Sequence, residues 1–281
     1  MDDRNGFCDL HIHSTYSDGV LSVEQIVEES VSAGLAAISI TDHDTIAGQD
    51  EALNIGRKKG IEVVTGIEFS TKYHRKNVHI LGYLVDIGDR LLKDEISYLR
   101  ESRISRARKI VEKLNSLGFT LTFDDVEEES GDGAVGRPHI AAAMFRKGYV
   151  SSYNEAFTRF LADNAPCYVP KDVFSIEKVF ELIDHAGGVP VWAHPGRDIY
   201  DGGILDILLP MGLAGIEVWH PNHSYDIERA ILEVVSKNGL IPTGGSDFHN
   251  IEARGIPIGG KGVPYESVTA LKAAAAGKRL K

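Results

Sequence analysis

Short apolar runs alternate along this chain with segments whose apolar residues recur at helical spacing, and this alternation constrains the fold more than any other feature. The helix-like segments include Val23–Ala33, Ile176–Ala186 and Ile227–Asn238. The runs between them are rich in Val and Ile, as buried strands are, and seven can be recognised: Phe7–Ile12, Ala36–Thr41, Ile61–Ile67, Val78–Leu84, Gly188–Ala193, Ala214–Trp219 and Leu240–Thr243. Because strands that alternate with helices pair in parallel, the sequence predicts a parallel sheet closed into a β/α barrel.

One long segment interrupts the alternation. It carries a charged helical run over Leu91–Leu117, an acidic, turn-rich stretch over Asp124–Gly133 and a second helical run over His139–Phe160. An insertion of this length needs a small core of its own, so we predict a helical cap subdomain over residues 89–172. Residues 1–88 and 173–281 then form the barrel. An elaborate crossover connection is the alternative.

The charge of the chain limits the size of its partners. A formal net charge of −11 opposes broad, non-specific binding to nucleic acid, which needs clustered Lys and Arg. A small or terminal phosphate ligand is compatible with this charge, because bound metal ions can supply the positive charge. We therefore expect a small phosphorylated partner and no extended nucleic-acid binding.

Cysteine usage and the first residues bear on the compartment. Cys8 and Cys167 lie far apart and in no metal-type spacing, so neither a disulfide framework nor a thiolate zinc site is predicted. The sequence starts MDDRNGFCDL, without the basic start and apolar stretch of a targeting signal, and no run approaches the ~18 apolar residues of a membrane helix. We expect a cytoplasmic protein without a membrane span.

The first apolar run ends in two histidines that can share a metal ion. Residues two apart on a strand lie on one face, so the imidazoles of His11 and His13 point one way, and Leu10 and Ile12 point the other. Alone, such a pair is more often explained by packing or by hydrogen bonds. The prediction of a metal site therefore depends on the residue types at the ends of the other runs.

Further histidines and carboxylates stand at or near the ends of the other runs. The C-terminal rim of a parallel β/α barrel gathers ligands, so six histidines and three carboxylates are expected to converge there. They are His11, His13, Asp18, His43, Glu68, His79, His194, Asp247 and His249. Imidazoles and carboxylates without thiolates suit zinc, manganese or iron. A carboxylate such as Glu68 or Asp247 could bridge two ions about 3.5–4 Å apart, as hydrolysis by two metals requires.

Motifs at both ends of this set are similar to those of a known family. Through Asp9-Leu10-His11-Ile12-His13-Ser14 and Gly245-Ser246-Asp247-Phe248-His249, the chain resembles the polymerase and histidinol phosphatase (PHP) family of metal-dependent phosphoesterases. The resemblance implies a distorted seven-stranded β/α barrel with two to three divalent ions. It implies that the first ion is held by His11, His13, Glu68 and Asp247, the second by Glu68, His79 and His194, and the third by Asp18, His43 and His249. Some members carry histidine at the position of Asp18, which is still a competent ligand.

A motif in the predicted insert resembles that of one branch of this family. Gly136-Arg137-Pro138-His139-Ile140-Ala141 is similar to the signature of a branch that removes the 3′-phosphate from nucleoside 3′,5′-bisphosphates. Some members of that branch also trim short RNA from the 5′ end. The resemblance implies a phosphomonoesterase whose substrate contacts are Arg137, His139, Arg197 and His223. It implies catalytic roles for Asp18, Glu68, Arg197 and His223.

Several of these residues also have a structural interpretation. Arg137 could pair with the acidic run Glu127–Glu129, and His139 could support the start of its helix. Asp9 and Asp42 stand beside ligand histidines, and they either accept an imidazole N–H or stabilise a turn. His220 follows the sixth run, and its part in the site stays open at this point.

Three other functions fit parts of the pattern. A metal-dependent amidohydrolase also begins a barrel with His-x-His and ends it with an aspartate. That class commonly has eight strands and a bridging lysine, whereas Glu68 takes the bridging place here. Histidinol phosphate is an alternative phosphoester substrate, although the long insert favours a nucleotide. A non-catalytic nucleotide sensor would have a decayed site, which the complete ligand set opposes.

Overall fold

In the computed structural model, which describes residues 6–131, 135–250 and 255–279, the first strands and helices alternate as the sequence predicts. β1 (Phe7–Ile12), β2 (Ala37–Ile40) and β3 (Glu62–Val63) pair in parallel, with α1 (Val23–Ser32) and α2 (Gln49–Lys59) between them in sequence. α1 begins at a capping box in which Ser22 and Gln25 accept each other's backbone N–H groups. These three strands and two helices therefore form where the sequence pattern predicts them.

The third predicted run belongs to two strands. After β3 the chain continues as β4 (Gly66–Tyr73), which turns back directly into β5 (Lys76–Tyr83). The two strands pair antiparallel along their whole length, because so short a turn leaves no room for the crossover that parallel strands require. The predicted ligands Glu68 and His79 therefore lie within adjacent strands rather than beyond strand ends.

The chain next enters a compact helical unit, Glu95–Val173, while Met1–Asp94 and Phe174–Lys281 form the other unit. The helices of this segment are α3 (Arg90–Ser116), α4 (Phe123–Ser130), α5 (Arg137–Arg146) and α6 (Tyr153–Ala156), with a π-helical turn over Phe157–Leu161. Its own apolar cluster includes Ile110, Leu114, Ile140, Met144 and Leu161. The sequence predicts an insert over 89–172, and its role as a cap stays a prediction.

The acidic stretch predicted as turn-rich is mostly helical. α4 begins at a capping box in which the Thr122 side chain accepts the backbone N–H of Asp125, and Asp125 accepts that of Thr122. This local cap favours a helix over turns. Residues 132 and 133 of the predicted stretch lie outside the described residues.

After the helical unit, strands and helices alternate again. The elements are α7 (Ile176–His185), β6 (Val189–Trp192), α8 (Gly202–Leu208), β7 (Gly215–Trp219), α9 (Tyr225–Asn238), β8 (Ile241–Gly244), β9 (Val263–Pro264) and α10 (Glu266–Arg279). A 3₁₀ turn over Gly196–Tyr200 follows β6. β6, β7 and β8 pair in parallel, whereas β6 pairs antiparallel with β5, and β9 antiparallel with β1.

The predicted closed barrel, including the seven-stranded form that the resemblance implies, is wrong. The strands form two mixed sheets, one in the order β3-β2-β1-β9 and one in the order β4-β5-β6-β7-β8, and neither is closed. A parallel barrel does not form because the β4–β5 hairpin reverses the chain, and β9 adds an antiparallel edge. Isolated bridges from Ile12 to Phe248 and from His43 to Glu68 bring the two sheets together where the predicted ligands lie.

The core fixes β1 from several directions. Leu10 packs in an apolar cluster with Val191 of β6 and Leu271 of α10, whereas Ile12 packs with Ile26 of α1. The strand that carries His11 is thereby held rigidly.

Both cysteines are free and buried, and the predicted cytoplasmic location stays a prediction. Within the described ranges, no helix combines the length and the apolar character needed to cross a bilayer.

Candidate metal centre

His11 and His13 extend side by side from the end of β1. Both residues are fully buried, and their Nε2 atoms lie 3.1 Å apart. Leu10 and Ile12, which alternate with them, pack in the apolar core. The two imidazoles thus face the same space, as alternation along a strand requires.

Two carboxylates complete a tight group with these nitrogens. Glu68 Oε2 lies 3.4 Å from His11 Nε2 and 3.3 Å from His13 Nε2. Asp247 Oδ1 lies 3.5 and 3.1 Å from the same two atoms. Four ligands around a tetrahedral ion at about 2.0–2.1 Å lie about 3.3–3.4 Å from one another. The distances from both carboxylates to the two nitrogens, 3.1–3.5 Å, match this spacing, and His11, His13 and Asp247 form one group whose ligand atoms lie within 4.8 Å of one another.

The Glu68 carboxylate also faces three further histidines. Its Oε1 atom lies 2.8 Å from His79 Nδ1 and 2.9 Å from His194 Nε2, and its Oε2 atom lies 2.9 Å from His43 Nδ1. Glu68 therefore belongs to two groups of possible ligands, one with His11 and His194 and one with His43 and His79. Within each group the ligand atoms lie within 4.8 Å of one another. A carboxylate whose two oxygens serve different ligand groups can bridge two ions.

A third group lies nearer the surface, around Asp18. Its Oδ1 atom is 3.2 Å from His249 Nε2 and 3.7 Å from His13 Nδ1, and its Oδ2 atom is 4.0 Å from His43 Nε2. The Asp18 side chain is 38% exposed, against 1% for Glu68. His13 and His43 each direct one ring nitrogen to Glu68 and the other to Asp18, so they link this group to the buried ones.

The chemistry of the donors fits a divalent cation. His43 Nδ1 and Glu68 Oε2 are buried and 2.9 Å apart, yet they are not aligned as a hydrogen bond, and neither has another hydrogen-bond partner among the described residues. Buried polar atoms normally have partners. Nitrogen and oxygen atoms that converge in this way are suited to a cation, and imidazole with carboxylate suits zinc, manganese or iron.

The carboxylates control the protonation of the centre. Desolvation opposes the charged form of His13, but Asp247 and Glu68 outweigh it and raise the pKa of His13 to about 10. The pKa of His11 also rises, because Glu217 and Glu68 outweigh desolvation. Desolvation works against ionised Glu68 as well, yet the surrounding histidines hold its pKa well below the usual value. Without a cation, the ionised carboxylates are therefore paired with the protonated rings of His11 and His13.

Glu217 is a residue of this centre that the sequence analysis missed. It is fully buried in β7, where Oε1 lies 2.9 Å from His11 Nδ1 and Oε2 accepts the backbone N–H of His194 at 2.8 Å. A carboxylate that binds one ring nitrogen of a histidine leaves the other nitrogen free for a metal. The available signal was a charged residue inside the apolar run Ala214–Trp219, because a buried charge needs a partner.

Two further histidines hold parts of the centre in place. His220 Nδ1 accepts the N–H of Asn222 at 3.1 Å, so Nε2 carries the proton and donates to Asp247 Oδ2 at 3.1 Å. His223 donates from Nδ1 to the Val218 carbonyl, and its Nε2 accepts the N–H of Gly196 at 3.1 Å. His220 thus orients the Asp247 carboxylate. The substrate-binding and catalytic roles of His223 stay predictions.

Asp9 and Asp42 bond to backbone and hydroxyl groups rather than to imidazoles in the described part of the chain. Asp9 accepts the N–H groups of Ser246 at 2.9 Å and Gly259 at 2.8 Å. Asp42 accepts the hydroxyls of Ser14 at 2.6 Å and Ser17 at 2.5 Å. Both aspartates therefore stabilise the loops that present the ligands, which is the second of the two roles considered for them.

The predicted substrate contacts lie in different parts of the chain. Arg197 is exposed in the 3₁₀ turn after His194. Arg137 begins α5, where its Nη1 atom donates to the Leu161 carbonyl at 3.0 Å and to Asp163 at 2.8 Å. His139 Nδ1 accepts the backbone N–H of Gly136 at 3.1 Å and supports the start of that helix.

The acidic run considered as a partner for Arg137 pairs with another arginine. Arg146 lies 2.7 Å from Glu128 and 2.6 Å from Glu129. Arg137 instead forms its ion pair with Asp163. The roles of Arg137, His139 and Arg197 in substrate binding stay predictions.

A cavity of 170 Å³ opens onto the metal centre. It is lined by His43, Glu68, His79, His194, Gly196, His220, Asn222, His223, Asp247 and His249. Two residues that line it have strained backbone, since the φ values of His194 and Asp247 are 28° and 46°, which are uncommon for residues other than glycine. Such strain persists only where the surroundings fix it, and it is frequent at functional sites.

Known proteins share both the sequence and the fold. Residues 9–161 match the PHP domain. The chain is 33% identical to a 3′,5′-nucleoside bisphosphate phosphatase of Chromobacterium violaceum (86% of each chain), to a 5′-3′ exoribonuclease of Haemophilus influenzae (86% of this chain, 89% of that one) and to a phosphoribosyl 1,2-cyclic phosphate 1,2-diphosphodiesterase of Eggerthella lenta (91% and 98%). A metal-dependent phosphoesterase structure from Bifidobacterium adolescentis superposes with a TM-score of 0.82 at 30% identity, over 95% of this chain and 96% of that one.

These matches agree with the chemistry of the centre. The predicted family and the predicted phosphoesterase activity are confirmed. The chain belongs to the PHP domain family, and it is a metal-dependent phosphoesterase.

Proposed function

We propose that this phosphoesterase removes the 3′-phosphate from nucleoside 3′,5′-bisphosphates and also trims short RNA from its 5′ end. The observation that carries the proposal is the likeness, over 86% of the chain, to relatives named for these two activities. The Gly136–Ala141 motif supports the same branch of the family. The third relative acts on a cyclic phosphate diester by its name, so substrate choice needs a direct test.

We propose three ligand sets for divalent ions, either manganese, zinc or iron. The first is His11, His13, Glu68 and Asp247, the second is Glu68, His79 and His194, and the third is Asp18, His43 and His249. His79 and His194 lie 2.8 and 2.9 Å from Glu68 Oε1, and His249 lies 3.2 Å from Asp18, which supports these sets. His43 faces both Asp18 and Glu68, so it adjoins the second set as well as the third. Bound there, such ions would lower the pKa of water and neutralise charge on phosphoryl oxygens.

The chain's own groups then have distinct tasks. His220 holds the Asp247 carboxylate, and Glu217 holds both the His11 ring and the backbone of His194. His223 accepts the N–H of Gly196, which lines the cavity and precedes Arg197 in the 3₁₀ turn. A guanidinium suits bidentate binding of phosphate, so Arg197 is assigned to the substrate phosphate.

The test is a screen of phosphate release by the metal-loaded protein. The substrates are nucleoside 3′,5′-bisphosphates, nucleoside monophosphates, a 5′-phosphorylated RNA, a ribose 1,2-cyclic phosphate and histidinol phosphate, with an amide panel beside them. The highest kcat/KM is expected for a 3′,5′-bisphosphate. A higher kcat/KM for the cyclic diester or for histidinol phosphate would overturn the proposed substrate.

A further inference from the structure

Exposed basic and aromatic residues lie on three neighbouring elements beside the metal centre, and we call this set the basic rim. It consists of Lys72 and Arg75 of the β4–β5 hairpin, Arg197 and Tyr200 of the 3₁₀ turn, and Tyr225 at the start of α9. We propose that the basic rim binds the nucleotides that follow the 5′ end of a short single-stranded RNA. This inference rests on the proposed function, because it explains how a substrate longer than one nucleotide is held.

The hairpin extends the site outward from its ligands. Pairing continues from Ser70 opposite His79 to Lys72 opposite Asn77 and to Tyr73 opposite Lys76. Lys72 shares the face of β4 that carries Glu68, and four residues of strand separate them by about 13 Å. Nucleotides in a stacked strand advance about 3.4 Å each, so about four nucleotides cover that distance. A mononucleotide bound at the centre would not reach this cation.

Direct contacts join the parts of the rim. Lys76 Nζ lies 2.7 Å from Asp198 Oδ1 and 2.8 Å from Asp201 Oδ2, so the hairpin is tied to the 3₁₀ turn. The Tyr200 hydroxyl donates to the Asp226 carbonyl at 3.4 Å, which ties the same turn to the start of α9. The N–H of Gly196 bonds to His223, and both residues line the cavity. The rim is therefore continuous with the metal centre.

The chemistry of the rim favours a short nucleic-acid strand. The side chains of Lys72, Arg75 and Arg197 form no hydrogen bond or ion pair within the described residues, although the chain carries a net charge of −11. Exposed cations without acidic partners attract phosphates. Tyr200 and Tyr225 are 63% and 76% exposed, and such aromatic rings stack on bases without regard to sequence. Asp198 and Asp201, which pair with Lys76, and the exposed Asp226 lie within the rim, and together with the net negative charge of the chain they limit the length of strand that binds.

The experiment measures binding of 3′-fluorescein-labelled RNA to the full-length, metal-loaded protein by fluorescence anisotropy. The probes are a 5′-phosphorylated octamer and a 5′-phosphorylated dimer, both with phosphorothioate linkages that slow cleavage. The wild-type protein should bind the octamer more tightly. The double variant Lys72→Ala/Arg75→Ala should lose this preference, and the slope of log Kd against log salt should fall by about 1.4, at about 0.7 for each phosphate contact.

The tyrosines are tested separately. Tyr200→Ala and Tyr225→Ala should each weaken octamer binding by about 5- to 100-fold, the range found for one lost stacking contact. The matched controls are Lys58→Ala and Tyr98→Ala, which remove an exposed lysine of α2 and an exposed tyrosine of α3. These controls should bind the octamer as the wild-type protein does.

Different outcomes contradict RNA binding by the basic rim and the proposed catalytic activity. RNA binding by the basic rim would be contradicted if the Lys72→Ala/Arg75→Ala variant had the same octamer affinity and the same salt slope as the wild-type protein. An equal loss of affinity in the control variants would contradict it as well. Rapid release of phosphate from a 3′,5′-bisphosphate, with no preference for the octamer over the dimer, would also overturn the rim and leave the proposed function standing. Rim-dependent octamer binding by a protein that hydrolyses neither bisphosphate nor RNA would overturn the proposed function alone.

Discussion

Glu68 contacts five imidazoles of the candidate metal centre. Its two oxygens lie within 3.4 Å of ring nitrogens from His11, His13, His43, His79 and His194. Replacing it with glutamine keeps the shape of the side chain and removes the charge. Glu68→Gln should therefore lose metal and phosphoesterase activity in parallel while the protein stays folded. Elemental analysis, circular dichroism and kinetics measure the three properties. A variant that turned over at near the normal rate would contradict the bridging role.

Glu217 acts on the same centre through His11, so its loss should be milder. In Glu217→Gln, the amide no longer offers a charged acceptor to His11 Nδ1, and metal affinity should fall by about 10- to 100-fold, as is common when such a partner of a ligand histidine is lost. Competition with a fluorescent chelator gives the affinity. The control Glu24→Gln changes an exposed glutamate in α1 and should leave the affinity unchanged. Equal metal affinities in the wild-type protein, Glu217→Gln and Glu24→Gln would contradict a role of Glu217 in the centre.

The buried histidines couple metal binding to pH. His13 has a pKa of about 10 in the folded protein without metal, because Asp247 and Glu68 outweigh its desolvation, whereas an unfolded histidine has a pKa of about 6.5. Protonation of His13 therefore stabilises the metal-free fold fully below about pH 6.5, and this contribution disappears as the pH rises through about 10. A metal ion needs the neutral ring, so it must displace the proton.

Metal affinity should accordingly rise between pH 7 and 9, by about tenfold per pH unit for each proton displaced. Calorimetry in buffers of different ionisation enthalpy counts the protons released. An affinity that stays constant over this range would show that His13 is already neutral before metal binds.

At the scale of elements, the approach of β8 to β1 decides where His11 lies. Gly245 follows β8, and a methyl group added there would lie 2.4 Å from the backbone nitrogen of His11 and 2.5 Å from its Cβ. Gly245→Ala should therefore push β1 outward, lower the free energy of unfolding by about 1–3 kcal/mol and weaken metal binding. Urea unfolding and chelator competition measure both effects.

The matched control is Gly277→Ala in α10, where no atom lies within 4 Å of an added methyl group. Alanine is a better helix former than glycine by about 1 kcal/mol, so this variant should be slightly more stable. If Gly245→Ala behaved like Gly277→Ala, the close contact between the two strands would be disproved.

At the scale of the whole molecule, the predicted ligands come from both sheets. His11 lies in β1, and His13 and His43 follow β1 and β2 of the same sheet. Glu68 and His79 lie in strands of the other sheet, and His194 and Asp247 follow strands of that sheet. Bound ions would therefore fasten two sheets that isolated bridges connect. The purified protein should contain about two to three divalent ions per chain.

Removal of these ions by a chelator should lower Tm by about 5–10 °C for each site emptied, because one ion at a hundredfold excess over its Kd contributes about 2.7 kcal/mol. Elemental analysis and differential scanning calorimetry test the two statements. Less than one ion per chain after supplementation with manganese, zinc or iron, or an unchanged Tm, would contradict the three-set assignment.

The sequence by itself determined the local elements and the identity of the ligand candidates. Most strands coincide with apolar runs, since a buried strand must be apolar along its length, and imidazole and carboxylate groups at the ends of such runs carry a recognisable chemistry. The motifs around His11 and Asp247 also indicated the PHP family, which the domain match over residues 9–161 and the relatives confirm.

Only the tertiary structure decided the closure of the sheets and the surroundings of the ligands. The direction of β5 depends on the short turn after β4, and the antiparallel pairing of β9 joins residues far apart in sequence. Glu217 and His220 entered the centre in the same way, since their bonds to His11 and Asp247 span 206 and 27 residues. Local patterns encode which face of a strand is buried, whereas the partner across that face is fixed only when distant segments pack together.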